Sequence, residues 1–124
     1  MDTFFTVTYL MTWPGGGPPA LLLTAPGDLD VRTVPVARRE LAAVTASSLV
    51  VDITGCFVSA RGVTLLVETL RRLQADGRWG TVGGLGRSVL RLLPLFDAHD
   101  LPLHPTLDEA VAALRRGRDA HTGG

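Results

Sequence analysis

The sequence predicts an α/β domain: an N-terminal β-hairpin, then alternating helices and parallel strands, forming a small mixed sheet with helices largely on one face. Three observations carry that prediction. Leu49, Val50, Val51 and Ile53 form a short apolar run, rich in β-branched side chains, that suits a strand buried on both faces. From Val63 the period becomes helical, with Val63, Leu66, Val67, Leu70 and Leu73 on one side and Thr64, Glu68, Arg71 and Arg72 mainly on the other. Upstream, two strand-like runs flank a stretch rich in Gly and Pro, as in a hairpin with a long connection. At 124 residues the chain has room for one domain of ordinary size.

The first strand is expected over Phe4 to Leu10, where Phe, Val, Thr and Tyr suit a pleated surface. Trp13 to Pro19 holds three Gly and three Pro and can propagate neither helix nor ladder, so it reads as a loop. Ala20 to Thr24 returns to strand character. After Gly27-Asp28-Leu29-Asp30, a helix is expected from about Val34 to Thr45. Its apolar stripe is Val34, Ala37, Leu41 and Val44, its wet face Arg38, Arg39 and Glu40, and Pro35 is tolerated in its first turn. Asp76-Gly77 stops the second helix, and Trp79 to Val82 reads as a fourth strand.

Gly83-Gly84-Leu85-Gly86 opens a third helix through Leu93, ended or distorted by Pro94, and Leu101-Pro102-Leu103 is at best a poor edge strand. Thr106-Leu107-Asp108-Glu109 matches a capping box and starts the last helix. Residues 1–117 read as one domain and 118–124 as a flexible C-terminal tail.

Composition narrows the function classes. With 46% hydrophobic and 19% charged residues, the chain can bury a core and is not a disordered, solvating segment. Twelve Arg balance twelve acidic residues, so no net charge draws the domain to nucleic acid or anionic lipid. The absence of Lys, with abundant Ala, Gly, Pro and Arg, points to a GC-rich, bacterial coding sequence. Cys56 is the only cysteine, which leaves no internal disulfide and fits a reducing compartment; beside a buried strand it reads as a small apolar filler. Met1-Asp2-Thr3 lacks the basic segment and apolar run of a secretory leader, and no run reaches the roughly 18 apolar residues of a membrane span. The expectation is a soluble, cytoplasmic protein with no membrane insertion.

Between the central strand and helix lies Phe57-Val58-Ser59-Ala60-Arg61-Gly62, which must turn the chain and leave the first helical N–H groups without internal partners. Asp52-Ile53, a short link, and then Phe57 and Gly62 resemble the pattern of STAS domains of the anti-sigma-factor antagonist family, in which Asp-Leu is followed by Phe-x-Asp-Ser-Ser-Gly. Gly27-Asp28-Leu29-Asp30 is similar to the Gly-Glu-Leu-Asp of the same family, and Pro105-Thr106-Leu107-Asp108-Glu109-Ala110 resembles its closing helix. The likeness thus runs from about residue 20 to 116. It departs at the junction: Ser59 stands for the usual Asp, Ala60 for the usual phospho-acceptor Ser and Arg61 for the second Ser, and the link before Phe57 is one residue shorter.

The resemblance implies a non-catalytic interaction module that binds an ATP-binding, Ser-kinase-type anti-sigma factor and so regulates sigma-factor-dependent transcription. It also implies that the unphosphorylated form binds, so Ala60 denotes an altered or lost switch. The implied contact residues are Asp30, Ser59, Ala60, Arg61, Gly62, Thr64 and Glu68. Ser59 is either a helix cap or a displaced phospho-acceptor, and Arg61 either meets an acidic group or is solvated. Asp28 and Asp30 either organise the turn or contact the junction and a partner or metal, Asp30 being the stronger functional candidate. STAS-like domains attached to transport systems supply the alternative, a small-molecule or lipid-handling subunit.

Enzyme readings find no support in the residues. Thr81 occupies the place of the first Gly of a Walker loop around Gly83 to Ser88, and no Lys is present; a weaker anion site at those amides stays open beside a plain strand-to-helix turn. His99, His104 and His121 have no metal-ligand spacing, no nucleophile elbow occurs, and no cofactor is expected.

Overall fold

The computed structural model describes residues 3–9 and 20–122. The expected loop at Trp13 to Pro19 lies outside the described residues. Strands β1 (Thr6–Tyr9), β2 (Leu21–Thr24), β3 (Ser48–Asp52) and β4 (Trp79–Gly83) form one sheet in the order β1-β2-β3-β4. β1 pairs antiparallel with β2, Val7 opposite Leu23, and β2, β3 and β4 are parallel, with Val51 between Leu23 and Val82. The expected hairpin and parallel crossovers are both present.

Helices α1 (Val34–Ala43), α2 (Ala60–Ala75) and α3 (Arg87–Leu92), the last continued by a 3₁₀ turn at Leu93–Phe96, pack on one face. Leu23, Leu49, Val51 and Val82 meet Leu41, Leu66, Leu70 and Leu93 there. α4 (Leu107–Thr122) lies on the opposite face, where Ala110 and Leu114 cover Ala20 and Val50. The period-2 alternation of β3 explains this: Leu49 and Val51 point one way and Val50 the other, and each face needs a cover. Helical backbone runs to Thr122, past the boundary expected at 117.

α1 ends two residues before the expected Thr45, where Val44 turns to an extended conformation and distant arginines meet the chain. The Arg72 guanidinium donates to Leu41 O at 2.8 Å in the last turn of the helix, and that of Arg78 donates to Val44 O and Ala46 O in the segment that follows it. Glu40, read as wet-face, instead accepts from the amides of Phe4 and Phe5 at 2.7 and 2.9 Å and fixes the start of β1.

The weak strand expected around Leu103 is a single parallel bridge to Val82, with Val82 N donating to Pro102 O and His104 N to Val82 O. It places His104 so that its Nε2 is buried without a hydrogen-bond partner among the described residues. Desolvation lowers the His104 pKa, helped by Arg116 and opposed by Glu109. The folded state therefore holds His104 neutral while the unfolded chain protonates in the ordinary range, so stability falls as pH drops through about 6.5. Melting temperature should decline from pH 7.5 to 5.5, and less steeply for His104→Gln; equal declines would show that His104 is not the group responsible.

Candidate functional site

The junction is built by two loops laid side by side at the C-terminal ends of β2 and β3. After β3, Ile53-Thr54-Gly55-Cys56 reverses the chain, with Cys56 N donating to Ile53 O at 3.0 Å and Gly55 at a φ of 79°. Asp52 Oδ1 accepts from Thr54 N at 3.0 Å and from the Thr54 hydroxyl. The chain then zips onto the β2–α1 loop: Leu29 N donates to Phe57 O at 2.8 Å, Ser59 N to Leu29 O at 3.0 Å, and Leu29 and Val58 form a parallel bridge. Phe57 N donates to Asp28 Oδ1 at 3.0 Å. Leu29 and Val58 are buried beneath this seam, so its position follows from the core.

α2 begins at Ala60, three residues before the apolar stripe starts, because Ser59 caps it. Ser59 is extended, and its Oγ accepts from Gly62 N at 3.2 Å. Such a cap contributes about 1 kcal/mol. Of the two roles left open for Ser59, the structure displays the cap, with the side chain half-buried. Gly62 is buried, and a Cβ there would lie 2.5 Å from Leu29 O and 2.8 Å from Val58 Cγ1. Only glycine lets the first turn of α2 reach the seam.

Ala60, Arg61, Thr64 and Glu68 are exposed on the first turns of α2. Thr64 Oγ1 donates back to Ala60 O at 3.0 Å. Glu68 is bound to Arg38 of α1 at 2.6 Å, an exposed pair that ties the two helices and contributes little energy. Arg61 makes no hydrogen bond or ion pair among the described residues, and no acidic residue occupies the first turn of α2. An unopposed guanidinium thus stands at the positive end of the helix dipole, an arrangement that favours an incoming carboxylate.

Asp30 and Asp28 divide the work differently from the sequence expectation. Asp30 Oδ1 accepts from Arg32 N at 2.9 Å and Thr33 N at 3.3 Å, organising the start of α1. Asp28, the weaker candidate, is the carboxylate that touches the junction. The side chains that sequence reasoning missed are apolar: Phe57 is 63% and Val31 60% exposed. Their signal was lost because Phe57 counted only as a motif position and Val31 fell between two elements.

Cys56 Sγ lies near Ala25 O and Thr54 O, and burial, then Asp28 and Asp52, push its thiol pKa up, which suits packing better than redox work. No group of three His, Cys, Asp or Glu able to hold a metal occurs among the described residues, and no helix there is long and apolar enough to cross a membrane. The Gly83 to Gly86 amides open α3, which has only six residues, and a Cβ on Gly84 would strike Thr54 N at 2.4 Å. Gly83 and Gly84 thus serve close packing, whereas nothing lies within 4 Å of a Cβ on Gly86.

No family model and no curated protein matches the chain. Solved structures do. An anti-sigma factor antagonist from Mycobacterium paratuberculosis superposes with a TM-score of 0.66 over 89% of this chain and 95% of its own, at 26% identity. A Thermotoga maritima protein described as a putative anti-sigma factor antagonist superposes with a TM-score of 0.71 over 90% of this chain and 94% of its own, at 13% identity, a likeness of fold alone. With the two-loop seam, the capped α2 and the mixed sheet all in the places that the sequence motifs imply, the chain has the STAS-like α/β fold that it shares with these anti-sigma factor antagonist structures.

Proposed function

We propose that this domain is an anti-sigma factor antagonist: it binds an ATP-binding, Ser-kinase-type anti-sigma factor and thereby frees a sigma factor for transcription, without catalysis of its own. The observation that carries this reading is the exposed first turn of α2, where Ala60 and Arg61 stand open on a rigid, seam-pinned scaffold. Asp30, Ser59, Ala60, Arg61, Gly62, Thr64 and Glu68 frame the contact face, Gly62 from beneath, and exposed Phe57 adds apolar area at its margin. Interfaces of this kind draw affinity from a few aromatic and Arg anchors.

The chemistry supports a binder without the usual phosphate switch. Ala60 offers no oxygen to a kinase, and the Ser59 hydroxyl is engaged by Gly62 N. A phosphate on Ser59 would put about two negative charges at the N-terminus of α2, beside Arg61.

Ser59→Asp tests this, because Asp also caps helices and leaves the fold intact while adding charge at the contact face. Wild type and variant serve as baits in native bacterial cytosol, with captured proteins and bait identified by mass spectrometry. Wild type should capture an ATP-binding anti-sigma protein, the variant should capture less, and the bait should carry no phosphate. Recovery of transport components instead, with no anti-sigma protein, would overturn the proposal in favour of the transport-associated alternative; phosphate on Ser59 would show a switch displaced by one residue.

A further inference from the structure

The segment formed by α3 and the 3₁₀ turn after it is amphipathic in an unusual sense. Its inner side holds the fold, with Leu93 buried and Val89, Leu90 and Phe96 packed on the core, while α3 itself buries no residue. Its outer side joins cations to leucines. Arg87, Arg91 and Leu95 follow one another at four-residue spacing and Leu92 lies three residues before Leu95, so helical geometry sets them on one ledge. Leu92 is 45% and Leu95 80% exposed, and both arginines are exposed. Neither guanidinium has an ion pair or a side-chain hydrogen bond among the described residues.

Charge names the occupant. Arg and acidic residues balance over the chain, but residues 77–96 contain no Asp or Glu. Just beyond, Arg71 donates to Asp97 O and lies 3.7 Å from Asp100 Oδ1, placing a third cation among the carboxylates there. Two copies meeting at the ledge about a two-fold axis would bring four unpaired guanidiniums together, which disfavours self-association. A protein partner would need a cleft shaped to receive Leu95, and protein hot spots favour Trp, Tyr and Arg over Leu. A fluid surface needs no matching shape. We infer that this ledge docks on an anionic lipid surface, its leucines entering the boundary below the headgroups and its arginines meeting the phosphates. It shares no residue with the contact face at the start of α2, so the two readings fail separately.

Co-sedimentation of the full chain with vesicles of phosphatidylglycerol or of phosphatidylcholine tests this. The chain should bind the first and hardly the second, and added salt should weaken binding. Leu95→Glu, and separately the pair Arg87→Gln and Arg91→Gln, should keep the wild-type melting temperature and lower partitioning about tenfold or more. Arg61→Gln, an exposed cation elsewhere, should leave it unchanged. Absence of wild-type binding overturns the inference, as does equal binding to both lipids, binding indifferent to Leu95→Glu, or an equal loss with Arg61→Gln. A lipid-free dimer that Leu95→Glu dissociates would assign the ledge to a second copy instead.

Discussion

Gly62→Val is expected to destabilise the domain by about 3 kcal/mol or more, and Gly62→Ala by roughly 1–3 kcal/mol. On helix propensity alone the alanine variant should gain up to about 1 kcal/mol, so the sign of the result decides between two physical accounts. The clash wins because the atoms in the way cannot yield. Leu29 O accepts from Ser59 N, Leu29 N donates to Phe57 O, and the Leu29 and Val58 side chains are buried. Moving them means opening the seam between the two loops. Gly86→Ala provides the control, since nothing lies within 4 Å of a Cβ there. It should change the free energy of unfolding in urea little, by about 0.5 kcal/mol at most. A stabilising Gly62→Ala would sink the close-approach account of this glycine.

Arg61→Glu should leave stability unchanged or raise it slightly while reducing affinity for the anti-sigma partner at least about tenfold, near 1.4 kcal/mol. The stability half follows from position: Arg61 is the second residue of α2, exposed and without an internal partner among the described residues. Exchanging a cation for an anion at a helix N-terminus gains about 0.3–1 kcal/mol. The affinity half follows from the proposed contact, in which the guanidinium meets a carboxylate of the partner. Calorimetric titration of both variants against the captured partner, with melting curves beside it, separates the halves. Equal affinities would remove Arg61 from the contact face.

Several features lay open in the sequence. The apolar run of β3 and the 3.6-residue stripe of α2 state their own structures, since each buries a surface whose period only one conformation satisfies. The last helix was legible from its capping box, and Glu109 N does donate to Thr106 Oγ1 at 3.1 Å. At the junction, the resemblance pointed to the proposed contact face, and the residue types put Ala60, without a hydroxyl, where the resembled family usually carries its acceptor Ser.

Other features depended on atoms far apart in the chain. No local pattern says that Glu40 will hold the amides of Phe4 and Phe5, that Arg72 and Arg78 will meet the chain at the end of α1, or that Asp28 rather than Asp30 will reach Phe57. Each is a hydrogen bond between residues roughly 30 positions apart, and such partners become definite only once the sheet has set the loops beside one another. The exposure of Phe57 and Val31 has the same origin, because hydrophobicity is a property of the residue and burial a property of its neighbours. The sequence by itself therefore determined the elements, their order and the altered chemistry of the junction, through short-range periodicity and residue type. The tertiary structure decided which polar groups meet, why Gly62 admits no side chain, and which apolar surfaces stay open, because those depend on the distances between segments.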